Sequence, residues 1–390
     1  MGATVRVPVS ASIWSWVTKI GSFQSLTEDD YRKIERWQAG ESAPTINQLS
    51  QFSKKLRIPV GYFFLDQPID DVPPVFAHRT IANAAITEPS RELVDTLTDM
   101  QSVQEWMRQD IVECGEGKLP FVGSYQVEQT KAVDLANAIR GVLHLSVEWY
   151  FEDGRVMPVD EAFKLLRERC TDSGIVVMLN GIARDNTHRP LDAHEFRAFA
   201  LVDEYAPLVF INRTDSRHGR IFSLAHEIVH IWLGTEEIYN DSYQYESNAP
   251  IEVLCNAVAA ELLVPRMVFV RCWRRIVEEK SADDAIEELT ERFPVSQVVI
   301  ARRALDEGFI SSAKYQDVVD ACRRHWEDQR ASSASGGNYY STKRSRLDHR
   351  FVERLAASVS EGRTPYTDAY RLTGTNRRTF SNVLKPMEVW

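Results

Sequence analysis

The sequence predicts an α+β protein that is mostly helical, with a small mixed sheet packed on a central helix and helical domains at both ends. Apolar residues recur at spacings of three and four over most of the 390 residues, which is the helical period. Short β-like apolar runs occur in the middle third of the chain. A hydrophobic content of 44% and a charged content of 26% are ordinary for a globular protein, and the length allows two or three domains.

Residues 1–70 are predicted to form a small helical domain. Thr27 is placed to cap a helix that carries Ile34 and Trp37 on one face, and a further helix follows at the same period. A proline-containing acidic stretch then leads into residues 71–145, which we expect to be a helical connector.

Residues 146–272 are predicted to form the body that holds the functional site. Residues 174–178 have the pattern of a buried strand, and residues 196–202 and 207–212 have that of a strand pair. We expect these strands to form the mixed sheet, with residues 196–201 as an exposed edge that can pair with an extended peptide. The alternative is a sheet with no exposed edge.

The last third of the chain divides into three predicted parts. Residues 273–330 form a helical extension, residues 331–339 a Ser/Gly-rich flexible linker, and residues 340–390 a basic helical segment. The basic segment binds nucleic acid or an acidic partner in one interpretation and is a solvated helical hairpin in the other. Its opening contains three candidate DNA contacts, namely Lys343, Arg344 and Arg346.

The central helix contains a pattern of reactive side chains in an apolar setting. His226 and His230 are four residues apart, so both imidazoles leave one face of the helix and can bind one metal ion, with Glu227 beside them. Burying two histidines and a glutamate in such a helix is costly unless they have a strong partner. The pattern therefore predicts a metal site.

A catalytic zinc site needs a third protein ligand and an open fourth position. Glu252 is the best candidate, because it opens a second apolar helix that can pack against the first. Cys255 lies three residues later, and we interpret it as a small buried hydrophobe. Four other carboxylates are rivals for the third position: Glu236, Glu237, Glu246 and Glu261.

These residues resemble the motifs of the ImmA/IrrE-type metallopeptidases. The matching stretches are Phe222-Ser223-Leu224-Ala225-His226-Glu227-Ile228-Val229-His230, then Glu252 with Leu254-Cys255-Asn256, then Ala259-Ala260-Glu261-Leu262-Leu263-Val264-Pro265. The resemblance implies one zinc ion per chain on His226, His230 and Glu252, with Glu227 as the catalytic base. It also implies a single protein substrate, such as a repressor or an antitoxin-like regulator encoded nearby.

The first domain resembles the degenerate repressor-like (XRE-like) helix-turn-helix domains that often precede such peptidases. The resemblance rests on the run Ile34-Glu35-Arg36-Trp37-Gln38-Ala39-Gly40 and the stretch that continues to Pro59. It implies that Arg32, Lys33 and Arg36 lie on a groove-facing helix and makes DNA a candidate partner. The alternative is a helical module that docks a protein or the neighbouring domain.

A rival function of another class is that of a non-proteolytic transcriptional regulator or of an antitoxin-like component of a two-gene (toxin-antitoxin or phage/stress-response) system. In either case the zinc site would be structural. Glu227 favours the enzyme, because a structural site does not need a base. Apolar runs long enough for a membrane span are absent and the five cysteines form no CxxC pair, so we expect a cytoplasmic protein with reduced thiols. The oligomeric state is not predicted.

Charge is unevenly distributed. Residues 331–390 contain ten basic and five acidic residues, a net charge of +5, whereas the whole chain carries −10. We therefore expect a nucleic acid to approach the ends of the chain rather than its acidic centre.

Other polar side chains of the body have weaker signals. His188, His194 and His218 lie in or beside loops, where we expect solvated histidines rather than ligands. Tyr205 is a candidate hydrogen-bond donor to an oxyanion if its turn folds over the metal.

Overall fold

In a computed structural model, the protein is mostly helical with small sheets, as predicted. The structure describes residues 5–21, 26–69, 89–152, 154–235, 238–239, 250–330 and 339–384. The described residues form two compact units, the first up to residue 98 and the second from residue 99 onward.

The first unit contains three short helices around an aromatic core. They are α1 (Ala11–Ile20), α2 (Glu28–Gln38) and α3 (Ile46–Leu56), followed by a 3-10 turn at Val60–Phe64. Thr27 caps α2 as predicted, and Thr45 caps α3 with the same reciprocal bonding. The core contains Trp14, which stacks on Trp37 with ring centroids 5.3 Å apart, together with Phe52 and Phe63.

A long helix and a short helix lie in the described part of the predicted connector. They are α4 (Arg91–Glu113), which begins in the first unit and continues in the second, and α5 (Ala132–Val142). In the second half of α4, Gln104 donates hydrogen bonds to the carbonyl oxygens of Leu201 and Ala206. These bonds attach α4 to the turn between two strands of the sheet.

The second unit contains a short hairpin, a helix and a mixed sheet. The hairpin is β1 (Phe151–Glu152) and β2 (Arg155–Val156), and α6 (Val159–Asp172) follows it. The sheet consists of β3 (Val176–Asn180), β4 (Ala198–Leu201), β5 (Leu208–Asn212) and β6 (Ile238–Tyr239), in the order β3-β5-β4-β6. β3 and β5 are parallel and the other pairs are antiparallel, which agrees with the predicted mixed sheet.

The prediction that residues 196–201 form an exposed edge is wrong. β4 lies inside the sheet, because β5 pairs with one side and β6 pairs with Ala198 and Phe199 on the other. The local apolar pattern could not distinguish an edge strand from an inner one, since the pairing depends on β6, which lies 40 residues later in the chain.

The remaining helices of this unit share one hydrophobic core. α7 (Arg217–Leu233) and α8 (Pro250–Leu263) pack together, and the next helices are α9 (Arg266–Val277), α10 (Ala282–Arg292), α11 (Gln297–Asp306) and α12 (Ser312–Arg330). The core extends from Phe121 to Val319 and so runs across the boundaries predicted at 146 and 272. No single helix in the described part of the chain is long and apolar enough to span a membrane. The helices α8 and α9 reach that length and apolarity only when taken together, and this pair is bent by 64°.

Four helices follow the predicted linker, of which residues 331–338 lie outside the described part of the chain. They are α13 (Tyr339–Arg346), α14 (His349–Ser360), α15 (Tyr366–Thr373) and α16 (Phe380–Leu384). Their main attachment to the body is Asp348, which is fully buried. Its carboxylate caps α14 by accepting from the Phe351 N–H and also accepts from the Thr171 hydroxyl.

Asp348 also closes the outer edge of β3. Its Oδ2 accepts from the N–H of Val177 at 3.0 Å, and Arg167 donates to the carbonyl oxygen of the same residue at 2.8 Å. Arg167 further donates to the carbonyl oxygen of Leu347. One carboxylate and one guanidinium therefore satisfy the outward N–H and C=O of Val177, which an edge strand otherwise exposes.

A second attachment joins α14 and the loop that follows it to α4. Asp110 on α4 is buried and pairs with Arg354 and Arg363. Beside it, Trp106 donates to the hydroxyl of Thr364 at 3.0 Å and packs edge-on against Phe351. The last helices are thus held to the body by buried polar contacts.

We predict that Asp348→Ala lowers the free energy of unfolding of the second unit by about 3 kcal/mol, because it leaves three buried or capping donors without their acceptor. Chemical denaturation monitored by circular dichroism measures the change. Asp368→Ala is the control, since it removes an exposed carboxylate of the same segment whose contact is a 3.8 Å pair with Arg371. Equal losses in the two variants would contradict the assigned role of Asp348.

Candidate metal centre

The helix α7 is the structural support of the centre. Ser216 caps its start by accepting from the Gly219 N–H, and Gly234 ends it in the left-handed conformation, with φ at 68°. Residues 221–233 are all buried, and the helix packs on β4, β5, α6 and α8. Because no side of α7 faces solvent over this stretch, its polar side chains must find partners inside the protein.

The end of α7 is closed by the segment that precedes α5. Gly123 and Tyr125 donate backbone hydrogen bonds to the carbonyl oxygens of Ile231 and Trp232, at 3.0 and 3.1 Å. These are two of the carbonyls that a helix end leaves without an intrahelical partner. Gly123 and Gly234 pass each other closely, and a Cβ added to Gly234 would lie 3.0 Å from the Gly123 Cα.

Three side chains converge on one point between α7 and α8. The Nε2 atoms of His226 and His230 are 3.1 Å apart, and each lies 3.3 Å from a different carboxylate oxygen of Glu252. Both histidine side chains are fully buried, and that of Glu252 is 12% exposed. The sequence expectation that α8 packs on α7 and presents Glu252 inward agrees with this placement.

These distances fit a zinc ion. Two donor atoms at about 2.0–2.1 Å from zinc in a tetrahedral site are about 3.3 Å apart. The Nε2–Nε2 distance of 3.1 Å is close to that value, and so are the two 3.3 Å distances, which join each nitrogen to a different oxygen of Glu252. Two neutral imidazoles and a carboxylate are also a common donor set for zinc, and a carboxylate that binds through one oxygen leaves one tetrahedral position for another ligand.

Each histidine has a hydrogen-bond partner on its other ring nitrogen. The Nδ1 of His226 lies 3.0 Å from the Oδ1 of Asn256, and the Nδ1 of His230 lies 3.1 Å from the hydroxyl of Thr235. Sequence reasoning did not assign a role to either partner. The signal for Asn256 was its position four residues after Glu252, on the same face of α8.

Cys255 also lies beside the centre. Its sulfur belongs to a group with His226 and His230 whose donor atoms are within 4.8 Å of one another. However, the sulfur is 3.9 Å from the Nδ1 of His230, whereas the Nε2 atoms face Glu252. One ion at the Nε2 atoms therefore has Glu252 as its natural third donor, and Cys255 packs on the far side of the ring.

Glu261, a rival for the third position, is used elsewhere. Its carboxylate accepts from the backbone N–H of Arg266 and pairs with Arg303 at 2.9 Å. The other three rivals, Glu236, Glu237 and Glu246, lie outside the described residues.

Glu227 lies next to His226 on α7 and is fully buried. The helix thus carries two buried imidazoles and one buried carboxylate within five consecutive residues.

The residues predicted to contact DNA have acidic or backbone partners within the chain. On α2, Arg32 lies 3.8 Å from Glu28, Lys33 pairs with Asp29, and Arg36 lies 3.5 Å from Glu41. In α13, Lys343 and Arg346 both pair with Asp185, and Arg344 donates to the carbonyl oxygen of Asn382. Lys343 is buried and would have to leave this contact to meet a phosphate. DNA binding by these residues stays a prediction.

The weaker candidates lie in other surroundings. His188 and His194 are exposed in loops, as expected, whereas His218 is half-buried in the first turn of α7, where burial lowers its pKa. The ring of Tyr205 lies under the side chains of Arg108 and Lys118, at the turn between β4 and β5.

Comparison with known proteins identifies two segments of the chain. Residues 170–305 match the family model Peptidase_M78, described as an IrrE N-terminal-like domain. Residues 347–385, which include α14, α15 and α16, match a domain of unknown function, DUF8813. No curated protein matches the chain.

We predict that Gly234→Ala lowers the free energy of unfolding by about 1–2 kcal/mol, because alanine is strained at φ 68° and its Cβ would press on Gly123. Thermal and chemical unfolding curves measure the loss. Gly141→Ala is the matched control: it lies in α5 with open space around its Cα, and there alanine should stabilise slightly. Similar effects at both positions would contradict the constraint at the end of α7.

Proposed function

We propose that the chain, in which residues 170–305 match the Peptidase_M78 family model, is a zinc-dependent endopeptidase that cleaves one specific protein partner. The observation that carries the proposal is the convergence of His226, His230 and Glu252, on a helix that also carries the buried Glu227. The family alone supports a metallopeptidase in general. The ligand set, the base and the single partner are parts of the proposal.

In this proposal, His226, His230 and Glu252 hold the zinc ion. Three protein donors are the number found at catalytic zinc sites, whereas structural zinc sites use four. When bound, zinc supplies a Lewis acid that polarises the scissile carbonyl and makes water more acidic. The glutamate at position 252 supplies the single negative charge among the three donors.

Glu227 acts as the general base and then as the general acid. Its carboxylate accepts a proton from the attacking water and transfers that proton to the nitrogen of the departing amine as the peptide bond breaks. Because Glu227 is adjacent to His226 on a rigid, fully buried helix, its carboxylate is positioned without the entropy cost of ordering a loop.

Burial of the centre supports a restricted substrate. The two histidines are fully buried and Glu252 is 12% exposed, so a scissile bond can reach the donors only in an extended or locally unfolded segment. A repressor or an antitoxin-like regulator encoded nearby is the partner that the family resemblance suggests. General digestion would instead require an open cleft.

The first prediction for this site is that the purified chain binds about one zinc ion, and that Glu252→Ala loses most of it, because one of three donors is removed. Elemental analysis after dialysis measures the content. Glu261→Gln is the control, since that residue is on the same helix but pairs with Arg303. Full zinc content in Glu252→Ala, with loss in Cys255→Ala or Glu246→Ala, would reassign the third ligand.

The second prediction concerns the base. Glu227→Gln should keep the fold and the zinc but reduce cleavage at least 100-fold, because glutamine cannot accept the proton. The test incubates the wild type and the variant with the proteins encoded by neighbouring genes and follows a discrete cleavage by mass spectrometry. His226→Ala should lose zinc and cleavage together.

A different outcome would establish the rival function. If a strain that carries Glu227→Gln regulates its target genes as the wild type does, the metal centre has a structural role and the chain is a non-proteolytic regulator. Equal cleavage by the wild type and Glu227→Gln would also refute the assignment of the base.

A further inference from the structure

We infer that Asn256 and Thr235 are positioning residues that set the zinc affinity of the centre, and that their lack of charge keeps this affinity below the value that the same ligands could reach. The inference rests on the proposed zinc site. It concerns the two side chains bonded to the Nδ1 atoms of His226 and His230.

The contact of Asn256 fixes the tautomer of His226. The two atoms are Nδ1 and the amide oxygen Oδ1, 3.0 Å apart, and an amide oxygen can only accept. The Nδ1 therefore carries the hydrogen, which leaves the lone pair of Nε2 directed at the carboxylate of Glu252, 3.3 Å away. Because Asn256 follows Glu252 by one helical turn, a single helix positions one ligand and orients another.

Thr235 performs the same task for His230 from the end of α7. Its backbone N–H donates to the carbonyl oxygen of His230 at 3.1 Å, which holds the residue in the turn after Gly234. Its hydroxyl lies 3.1 Å from Nδ1 of the same histidine. When Nε2 binds the metal, Nδ1 carries the ring hydrogen, and this hydroxyl is placed to accept it. The Nε2 of His230 is then free of hydrogen and faces the second oxygen of Glu252.

Both of these Nδ1 partners are uncharged. A carboxylate in such a position makes the imidazole more basic and strengthens its bond to the metal, and loss of an orienting partner typically costs 10–100-fold in metal affinity. An amide and a hydroxyl orient the rings without adding charge. The structure therefore assigns to this centre a well-ordered geometry and a moderate affinity.

Position 256 can be tested in both directions. Asn256 is partly exposed and lines a cavity of about 230 Å³ between α8 and α11, so a carboxylate at this position is not forced into a dry interior. Asp has almost the same shape as Asn. Asn256→Asp therefore changes the charge of the partner while keeping its geometry.

The test measures the zinc dissociation constant of the full chain by competition with a chromophoric chelator. Asn256→Ala should weaken zinc binding about 10–100-fold, and Asn256→Asp should tighten it about 10-fold. Thr235→Val should weaken binding about 10-fold, whereas Thr235→Ser, which keeps the hydroxyl, should stay within about twofold of the wild type. Thr290→Val is the control, since that hydroxyl bonds to a carbonyl of its own helix.

A second readout reports the geometry directly. Co²⁺ in place of zinc gives visible absorption bands that depend on the ligand field, and these bands should change in Asn256→Ala and Thr235→Val but not in Thr290→Val. Circular dichroism of each variant separates an altered site from a failure to fold.

The outcomes separate the two proposals. If Asn256→Ala, Asn256→Asp and Thr235→Val all bind zinc as tightly as the wild type does, the positioning role is refuted and the proposed ligand set is unaffected. Absence of zinc from the wild type, or zinc binding unaffected by Glu252→Ala, would refute the proposed centre itself.

Discussion

Complete burial of α7 is the constraint on which the rest of the structure depends. The helix has no solvent-facing side between residues 221 and 233, and yet it carries His226, Glu227 and His230. Each polar side chain on α7 must therefore find its partner on another part of the protein. The helix α8 supplies Glu252 and Asn256, the turn after Gly234 supplies Thr235, and residues 119–125 supply donors to the last carbonyls.

Much of this arrangement could be predicted because it depends on short-range geometry. The spacing of His226 and His230 determines that their rings face each other, and Thr27 signals the start of α2 through its own capping bonds. The mixed sheet and the mostly helical class were predicted from the spacing of apolar residues along the chain alone.

The features that escaped prediction depend on distant parts of the chain. The inner position of β4 is set by β6, and the role of Thr235 depends on the left-handed turn at Gly234. The pairing of Lys343 and Arg346 with Asp185 was not predicted either, because a sequence count of charge does not show which acidic residue lies opposite a basic one. Their charges are used to attach the last helices to the body, as are those of Arg354 and Arg363 at Asp110.

The contact of Asp348 with Val177 has a consequence for folding during synthesis. The two residues are 171 positions apart, and Asp348 follows every residue of the core that surrounds the metal centre. A ribosome therefore completes α7, α8 and the sheet before it makes the carboxylate that covers β3. During that interval the nascent chain presents an open strand edge, which favours pairing with other chains and recognition by chaperones.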